Sequence, residues 1–264
     1  MIVKVKIQTL PITNYMTAYP ISVEPQVPIT KAIEFMVQRD FGNLVVSNGT
    51  LPKGILTERE ILKAITESRN LDEFTVTDVG LQPFTKLDLG DTVLDAAHIM
   101  NKNKSRLLVF DDDKLVGIVT VSDLLRAFRK IKNGSSLDKV ISTKIEKCSK
   151  TDSIFHAVKI MHEKRVGSVI IQDMKGYGIF SERDLLTYLY SNDFKLDLEV
   201  GKYSSSPLVV AGDEITINQA ASIMAANNIK RLGVTKDDSL VGIVTARDLL
   251  HAYQDVYLAT NPDS

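Results

Sequence analysis

Four copies of one sequence pattern, about 60 residues apart, constrain this chain more than any other feature. Each copy contains Gly-Ile, then Ser or Thr, then an acidic residue, in the strings KGILTEREIL, VGIVTVSDLL, YGIFSERDLL and VGIVTARDLL. Their glycines are spaced by 63, 61 and 64 residues and are Gly54, Gly117, Gly178 and Gly242. An A-x-x-x-M pattern precedes each glycine, with its methionine 17 or 18 residues upstream. Two markers in one register predict four structural repeats.

Each repeat has the same predicted order of elements. In the string ITINQAASIMAANNI the apolar residues Ile217, Ala220 and Met224 fall on one face of a helix. A short apolar run, a polar turn and a second apolar run follow, which predicts a two-stranded hairpin. A second helix begins after the Ser or Thr. Because each repeat also opens with an extended piece, such as YPISV or SSPLVVA, the unit is β-α-β-β-α and the fold class is α/β (α+β).

The repeats are expected to pair, because about 60 residues bury too little surface to be stable alone. The clearest break is the polar string KIKNGSSLDK, at 130–139. We therefore predict two tandem pairs with pseudo-twofold symmetry, one over 1–132 and one over 136–264. The predicted boundaries, in order, are 1–70, 71–132, 136–192 and 193–257 for the repeats and 258–264 for a tail.

Composition excludes several classes of protein. The chain has 32 basic and 33 acidic residues, so its net charge does not favour nucleic acid or an anionic membrane. No apolar run reaches the roughly 18 residues of a membrane span, and the first residues lack the apolar block of a signal peptide. The single cysteine, Cys148, has no partner for an internal disulfide, and no His or acid partner is evident near it. We predict a cytoplasmic protein in which Cys148 is a small, half-buried apolar residue.

The Ser or Thr and the acid three residues later form a capping-box pattern at the start of the second helix. Such a box stabilises a helix by about 1 kcal/mol, so helix capping alone explains these two positions. It does not explain the glycine, since a larger residue would suit a strand better. A glycine at this point in all four repeats predicts close approach of another backbone or of a ligand.

The pattern G-h-h-[ST]-x-x-[DE] after a hairpin, preceded by A-x-x-x-M on a first helix, resembles the CBS domain, named for cystathionine β-synthase. The resemblance covers nearly the whole chain, and four repeats in one chain are similar to the γ subunits of AMP-activated protein kinase. It implies paired repeats whose clefts bind adenine nucleotides or related adenosyl ligands. AMP, ADP or ATP is therefore the expected ligand.

The resemblance also implies roles for particular residues. The acid would accept the ribose hydroxyls, and the residues at this position are Asp123, Asp184, Asp248 and Glu60. Because Glu60 is one methylene longer, we expect its site to be weak or empty. The Ser or Thr would contact phosphate at the helix N-terminus, and these residues are Thr120, Ser181, Thr245 and Thr57. The implied lining of the adenine and ribose pocket consists of Thr143, Ser206, Gly117, Gly178 and Gly242.

Basic residues precede the hairpin in the even-numbered repeats only. They are Lys104, Arg106, Lys230 and Arg231. The odd-numbered repeats have Asn43 and Ser168 aligned with the two arginines. We interpret the basic residues as completing phosphate sites, and the alternative is that they are solvated turn residues.

Three classes of function remain. The favoured one is a non-catalytic regulatory module that senses adenine nucleotides and acts on an unknown protein partner. The alternative is a structural adaptor or sensor whose clefts hold another adenosyl ligand, such as S-adenosylmethionine, a polynucleotide, or nothing. An enzyme is the third, but no P-loop, nucleophile elbow or paired catalytic carboxylates are found. No metal is predicted, because the four histidines show no ligand spacing. Homodimerisation is left open.

Overall fold

The computed structural model has a mixed α/β fold made of four repeats, each with a strand, a helix, two strands and a second helix. It describes residues 9–49, 51–67, 71–103, 106–130, 134–173, 176–192 and 194–260. The fold class predicted from the sequence is confirmed.

The elements follow the chain in four similar sets. The first set is β1 (Thr17–Ala18), β2 (Ser22–Val23), α1 (Ile29–Gln38), β3 (Asn43–Asn48), β4 (Leu51–Thr57) and α2 (Glu58–Glu67). The second is α3 (Val76–Val79), β5 (Phe84–Asp88), α4 (Val93–Asn103), β6 (Arg106–Asp111), β7 (Lys114–Val119) and α5 (Val121–Phe128). The third is β8 (Lys147–Ser149), α6 (Ile154–Glu163), β9 (Ser168–Asp173), β10 (Gly176–Ser181) and α7 (Glu182–Ser191). The fourth is β11 (Val210–Gly212), α8 (Ile217–Ala226), β12 (Arg231–Lys236), β13 (Ser239–Thr245) and α9 (Ala246–Thr260).

The sheet of each repeat has one parallel and one antiparallel pairing. In the fourth repeat β11 pairs in parallel with β12, and β12 pairs antiparallel with β13. The parallel pairing needs a crossover connection, which α8 provides. The hairpin register puts Arg231 directly opposite Thr245, where the strand ends and α9 begins.

The chain divides into two compact units. The first, which we call the even unit, consists of the described residues of 1–20, 84–144 and 209–264 and contains most of the second and fourth repeats. The second, the odd unit, consists of the described residues of 21–83 and 145–208 and contains most of the first and third repeats. In the even unit α5 packs against α9, and in the odd unit α1 packs against α7 and α2 against α6 and α7.

The A-x-x-x-M residues form part of the two cores. Ala96, Met100, Ala220 and Met224 are buried in the even unit, and Ala32, Met36, Ala157 and Met161 are buried in the odd unit. Their helical spacing therefore marks the buried face of each first helix. Burial of these faces supplies the apolar driving force for the pairing of repeats within a unit.

The opening segment of each repeat lies on a glycine-containing strand of another repeat. β1 of the first repeat pairs with β7 of the second, so the four-stranded sheet has the order β1-β7-β6-β5. In return, Gln82 of the second repeat forms two backbone hydrogen bonds with Ile55, of 2.8 and 2.9 Å. Ser142 and Ile243 form the same contact between the third and fourth repeats.

The opening segment of the fourth repeat contacts the third repeat in the same way, through Ser205 and Ile179. These contacts explain the repeated glycine. A Cβ atom on Gly242 would lie 2.9 Å from the carbonyl oxygen of Ser142, and one on Gly54 would lie 3.0 Å from that of Gln82. The prediction that another backbone approaches the glycine is confirmed, and the opening segment accounts for it without a ligand.

The compact units do not coincide with the predicted modules 1–132 and 136–264. Helix packing within the units joins the first repeat with the third and the second with the fourth. The exchanged opening segments link the first repeat with the second and the third with the fourth. The predicted tandem pairs remain a prediction.

The predicted tail at 258–264 is partly wrong, because α9 continues to Thr260. Residues 261–264 lie outside the described part of the chain. No helix among the described residues has the length and apolar character needed to cross a membrane.

Candidate functional site

The Ser or Thr and the acid are hydrogen-bonded in all four repeats. In the fourth, the backbone N–H of Thr245 donates to Oδ2 of Asp248 over 2.8 Å, and the Thr245 hydroxyl donates to the same oxygen over 2.7 Å. The same two bonds join Thr120 with Asp123, Ser181 with Asp184 and Thr57 with Glu60. Each acid therefore commits one oxygen to the helix cap, and only its second oxygen is left for another partner.

In the first repeat the second oxygen is already taken. Gln82, in the opening segment of the second repeat, donates from Nε2 to Oε1 of Glu60 over 2.5 Å. Glu60 is only 6% exposed and Thr57 only 5%. A ribose would have to displace Gln82 and enter a buried site.

In the third repeat a hydroxyl occupies the equivalent oxygen. Ser205, in the opening segment of the fourth repeat, donates to Oδ1 of Asp184 over 2.7 Å. Ser205 corresponds to Gln82, since each forms the backbone pair beside its glycine. Asp184 is half-buried, so this contact is easier to exchange than that of Glu60.

In the second repeat an arginine holds the oxygen. Arg126 donates from Nη2 to Oδ1 of Asp123 over 3.1 Å and to the carbonyl oxygen of Tyr15 over 2.6 Å. Asp123 is 6% exposed. Burial raises the pKa of its carboxyl group, and the hydrogen bonds from Thr120 and the charge of Arg126 oppose this increase.

The fourth repeat differs from the other three. Among the described residues, none donates a hydrogen bond to Oδ1 of Asp248. Asp248 is half-buried. Ser142 takes the position that Gln82 and Ser205 take elsewhere, but among the described residues its hydroxyl forms no bond to this acid. Asp248 therefore presents an available carboxylate oxygen beside the start of a helix.

Two of the predicted cations lie at the same end of the even unit's sheets. Arg231 is the cross-strand neighbour of Thr245. Arg106 begins β6 one position before Leu107, which pairs with Val119, so it lies near Thr120. The Nε atom of Arg106 is buried and has no hydrogen-bond partner among the described residues. A buried donor of this kind is costly unless a partner satisfies it.

The odd unit has no basic residue at these positions, and ion pairs join the second helices of its two repeats. Nε of Arg59 in α2 lies 3.3 Å from Oε1 of Glu182 in α7, and Nε of Arg183 in α7 lies 3.8 Å from Oε1 of Glu58 in α2. Nη1 of Arg183 also pairs with Asp40. Each arginine therefore pairs with a glutamate of the other repeat in the odd unit, so the two ion pairs are reciprocal.

The first helical residues of the even unit are apolar at the positions of the two glutamates. Val121 begins α5 and Ala246 begins α9. In the even unit, Arg106 and Arg231 thus lie near helix N-termini that have no acid in the first position. An anion is favoured at such a helix end.

The remaining predicted residues are distributed as follows. Thr143 is exposed and follows Ser142, so it lies near the glycine of the fourth repeat. The Cβ atom of Ser206 would lie 3.5 Å from a Cβ atom on Gly178, so Ser206 belongs with the third repeat's site. Lys230 is exposed at the end of the segment before β12. Lys104 lies outside the described residues.

The residues that control access to the acids were missed in the sequence analysis. They are Gln82, Arg126 and Ser205. The signal that could have revealed two of them is a polar residue at one aligned position of the opening segments, where Gln82, Ser142 and Ser205 stand. The expectation that Cys148 lacks an acid and a histidine nearby is wrong, because Asp152 and His156 are close to it.

Comparison with known proteins supports the repeat assignment. The family model for the CBS domain matches residues 12–67, 76–130, 137–191 and 200–255. The uncharacterized protein MJ1404 of Methanocaldococcus jannaschii is 24% identical over an alignment of 267 positions, which covers 93% of this chain and 62% of that protein. An uncharacterized 33.4 kDa protein of Thermofilum pendens is 25% identical over an alignment of 180 positions, which covers 63% of this chain and 59% of that protein. The chain thus spans less than two thirds of either relative.

A solved structure extends the comparison to the whole fold. Protein MJ1225 from Methanocaldococcus jannaschii, described as a proposed archaeal homolog of the γ subunit of AMP-activated protein kinase, matches with a TM-score of 0.81. The match covers 92% of this chain and 100% of that one at 18% identity. At this identity the likeness shows the fold alone.

Proposed function

Because the chain belongs to the CBS domain family, we propose that it is a regulatory module that binds an adenine nucleotide and catalyses no reaction itself. Proteins of this family are generally regulatory, and their CBS domains often bind adenosyl ligands. The bound nucleotide would shift the population of conformations that an unidentified protein partner recognises. The near-zero net charge gives no reason to propose nucleic acid as that partner.

The observation that carries the proposal is the available Oδ1 oxygen of Asp248. A carboxylate oxygen can accept the two hydroxyls of a ribose while Oδ2 keeps the helix cap with Thr245. The fold of the site therefore does not have to change for the ribose to bind. By contrast, a ribose at Glu60 must break a hydrogen bond to Gln82 in a buried setting.

Phosphate recognition is supported by the cations of the even unit. A phosphate beside Thr245 would face the N-terminus of α9 and the side of the hairpin that carries Arg231. In the second repeat, the unsatisfied Nε–H of Arg106 would donate a hydrogen bond to a phosphate oxygen. We therefore propose that binding is strongest in the fourth repeat and that the second repeat is the next site.

The odd unit is proposed to have a structural role. Its arginines are held by Glu182, Glu58 and Asp40, and the acids that would bind ribose already accept hydrogen bonds from Gln82 and Ser205. This favours the adaptor alternative for that unit alone. The cations of the even unit argue against S-adenosylmethionine as the physiological ligand, since it carries no phosphate and bears a positive charge.

Isothermal titration calorimetry with AMP tests the proposal. Asp248→Asn keeps the side chain's size and its cap acceptor but removes its charge, so we expect AMP affinity to fall about 10- to 100-fold. Asp255→Asn is the matched control, because Asp255 is exposed on the same helix. Its affinity should equal that of the unmodified protein.

Two results would overturn the proposal. One is the absence of binding of AMP, ADP and ATP at millimolar concentration. The other is an Asp248→Asn variant that binds AMP as tightly as the Asp255→Asn control. Turnover of ATP by the purified protein would contradict the non-catalytic part of the proposal. Titration with S-adenosylmethionine in the same cell distinguishes the alternative ligand.

A further inference from the structure

Three potential metal ligands lie together in the odd unit, and none of them is an acid of a capping box. Cys148 is in β8, Asp152 is in the following turn, and His156 is in the first turn of α6. The thiol sulfur, a carboxylate oxygen and an imidazole nitrogen all lie within 4.8 Å of one another. In the chain they are spaced four residues apart, in the order Cys-x-x-x-Asp-x-x-x-His.

The turn between β8 and α6 fixes this arrangement. The backbone N–H of Ser149 donates to Oδ2 of Asp152 over 2.8 Å, and the N–H of Asp152 donates to the carbonyl oxygen of Ser149 over 3.1 Å. The carbonyl oxygen of Asp152 accepts from the N–H of Val200 over 2.8 Å. The hydroxyl of Ser153 caps α6 by accepting from the N–H of His156 over 3.1 Å. Both Asp152 and His156 are thereby held against Cys148.

The three side chains differ in their access to water. Cys148 is 5% exposed, and among the described residues its thiol has no hydrogen-bond partner. The side chains of Asp152 and His156 are 35% and 54% exposed. The imidazole Nε2 lies 3.9 Å from Oδ2 of Asp152, too far for a direct hydrogen bond. The cluster therefore has a buried sulfur on one side and an open side towards solvent.

We propose that Cys148, Asp152 and His156 form a binding site for a divalent cation of the zinc type. Zinc accepts thiolate, imidazole and carboxylate ligands together, at about 2.0–2.3 Å from each. Ligand atoms around a tetrahedral zinc are therefore separated by about 3.3–3.6 Å, a distance that small rotations of the partly exposed Asp152 and the exposed His156 would reach. The fourth position faces solvent and would hold water. A thiolate and a carboxylate would neutralise the charge of the cation.

The thiol must lose its proton when the cation binds. Burial and the nearby charge of Asp152 raise the pKa of Cys148 to about 11, so the metal-free site is protonated near neutral pH. A cation next to the sulfur reverses this, because a coordinating thiol is deprotonated outright. Binding is therefore accompanied by release of one proton.

Titration of the chelator-treated protein with Co²⁺ tests the site, because thiolate ligation gives a charge-transfer band in the near ultraviolet. We expect one equivalent of Co²⁺ to produce the band and one equivalent of Zn²⁺ to abolish it. Cys148→Ser and His156→Gln should each lose the band. His98→Gln is the control, because His98 is an exposed histidine on a helix of the even unit.

Circular dichroism of each variant shows whether the fold is retained. If Cys148→Ser unfolds, His156→Gln still decides the question, because His156 is half-exposed and outside the core. The proposal is overturned if the unmodified protein gives no charge-transfer band, or if His156→Gln gives the same band and Co²⁺ affinity as His98→Gln. Because the readout involves no nucleotide, this outcome is independent of AMP binding.

Discussion

Replacement of Gly242 by alanine should destabilise the fold, because the opening segment of the third repeat crosses directly over this glycine. The added Cβ would lie 2.9 Å from the carbonyl oxygen of Ser142 and would also collide with Cγ2 of Ile141. The backbone of Ser142 cannot move away freely, since it forms two hydrogen bonds of 2.9 Å with Ile243. The substitution must therefore break or distort the contact between the opening segment of the third repeat and the glycine-containing strand of the fourth.

The change in the free energy of unfolding of Gly242→Ala is the sum of a loss from overpacking and a gain from the unfolded chain. Overpacking of this kind costs about 1–3 kcal/mol. Alanine in place of glycine reduces the freedom of the unfolded chain, which returns about 0.4–1 kcal/mol. The free energy of unfolding should therefore fall by roughly 0.5–2 kcal/mol in Gly242→Ala.

Two other glycines provide matched comparisons. A Cβ on Gly178 would be 3.2 Å from its nearest atom, the carbonyl oxygen of Ser205, so Gly178→Ala should be close to neutral. Gly212, in β11, has nothing within 4 Å of the added atom, so Gly212→Ala should gain stability. Urea denaturation followed by circular dichroism and tyrosine fluorescence measures all three. The account is refuted if Gly242→Ala is as stable as Gly212→Ala.

Three further predictions concern charge and the thiol. A double-mutant cycle of Arg59→Ala and Glu182→Ala, measured by urea denaturation, should give a coupling free energy of about 0.5 kcal/mol. The coupling should shrink at 1 M salt because the arginine is half-exposed. A coupling free energy that salt does not change would contradict this. Burial raises the pKa of Asp123, so this group's contribution to stability is present below about pH 4 and is lost as the pH rises through the folded-state pKa. Asp123→Asn should therefore gain stability relative to the unmodified protein as the pH rises from about 4 in the same assay, and a stability difference that does not change with pH would refute the assignment. The pKa of Cys148 is raised to about 11 from 9.0, so at pH 8 the native protein should contain about a hundredfold less thiolate than an unperturbed cysteine would. Its reaction with Ellman's reagent at pH 8 should be slower in the same proportion. An equally fast reaction of native and urea-unfolded protein would contradict the burial of this thiol.

The repeats, the helices and the capping boxes could be predicted from the sequence because their signals are local. Helical spacing placed Met224 and its three equivalents in the cores, and the pair Thr245 and Asp248 forms the hydrogen bonds expected of a cap. The glycine also carried a correct physical signal. Ser142 passes so close to Gly242 that a Cβ atom at this position would collide with it.

The partners of these residues could not be predicted, because they come from distant parts of the chain. Gln82 binds Glu60 from 22 positions away, and Arg59 meets Glu182 from 123 positions away. In the sequence Arg59 and Glu182 look like ordinary charged residues at the start of a helix. Which repeats pack their helices together depends on the same long-range contacts.

The capping-box positions of the candidate site could be predicted from the sequence, and their role in binding a ligand stays a prediction. In the sequence the four acids are equivalent, and only Glu60 differs from the others in length. The structure distinguishes them by what each second oxygen already binds, and it favours Asp248. This difference arises from Gln82, Arg126 and Ser205, which are unremarkable in the sequence.

A crystal structure of the protein with AMP would show which of the four acids binds the ribose. We expect AMP in the fourth repeat, with its ribose hydroxyls on Oδ1 of Asp248 and its phosphate beside Thr245 and Arg231. Gln82 should remain on Glu60 in the first repeat. AMP bound at Glu60 with the fourth repeat empty, or no bound nucleotide at millimolar AMP, would contradict the account.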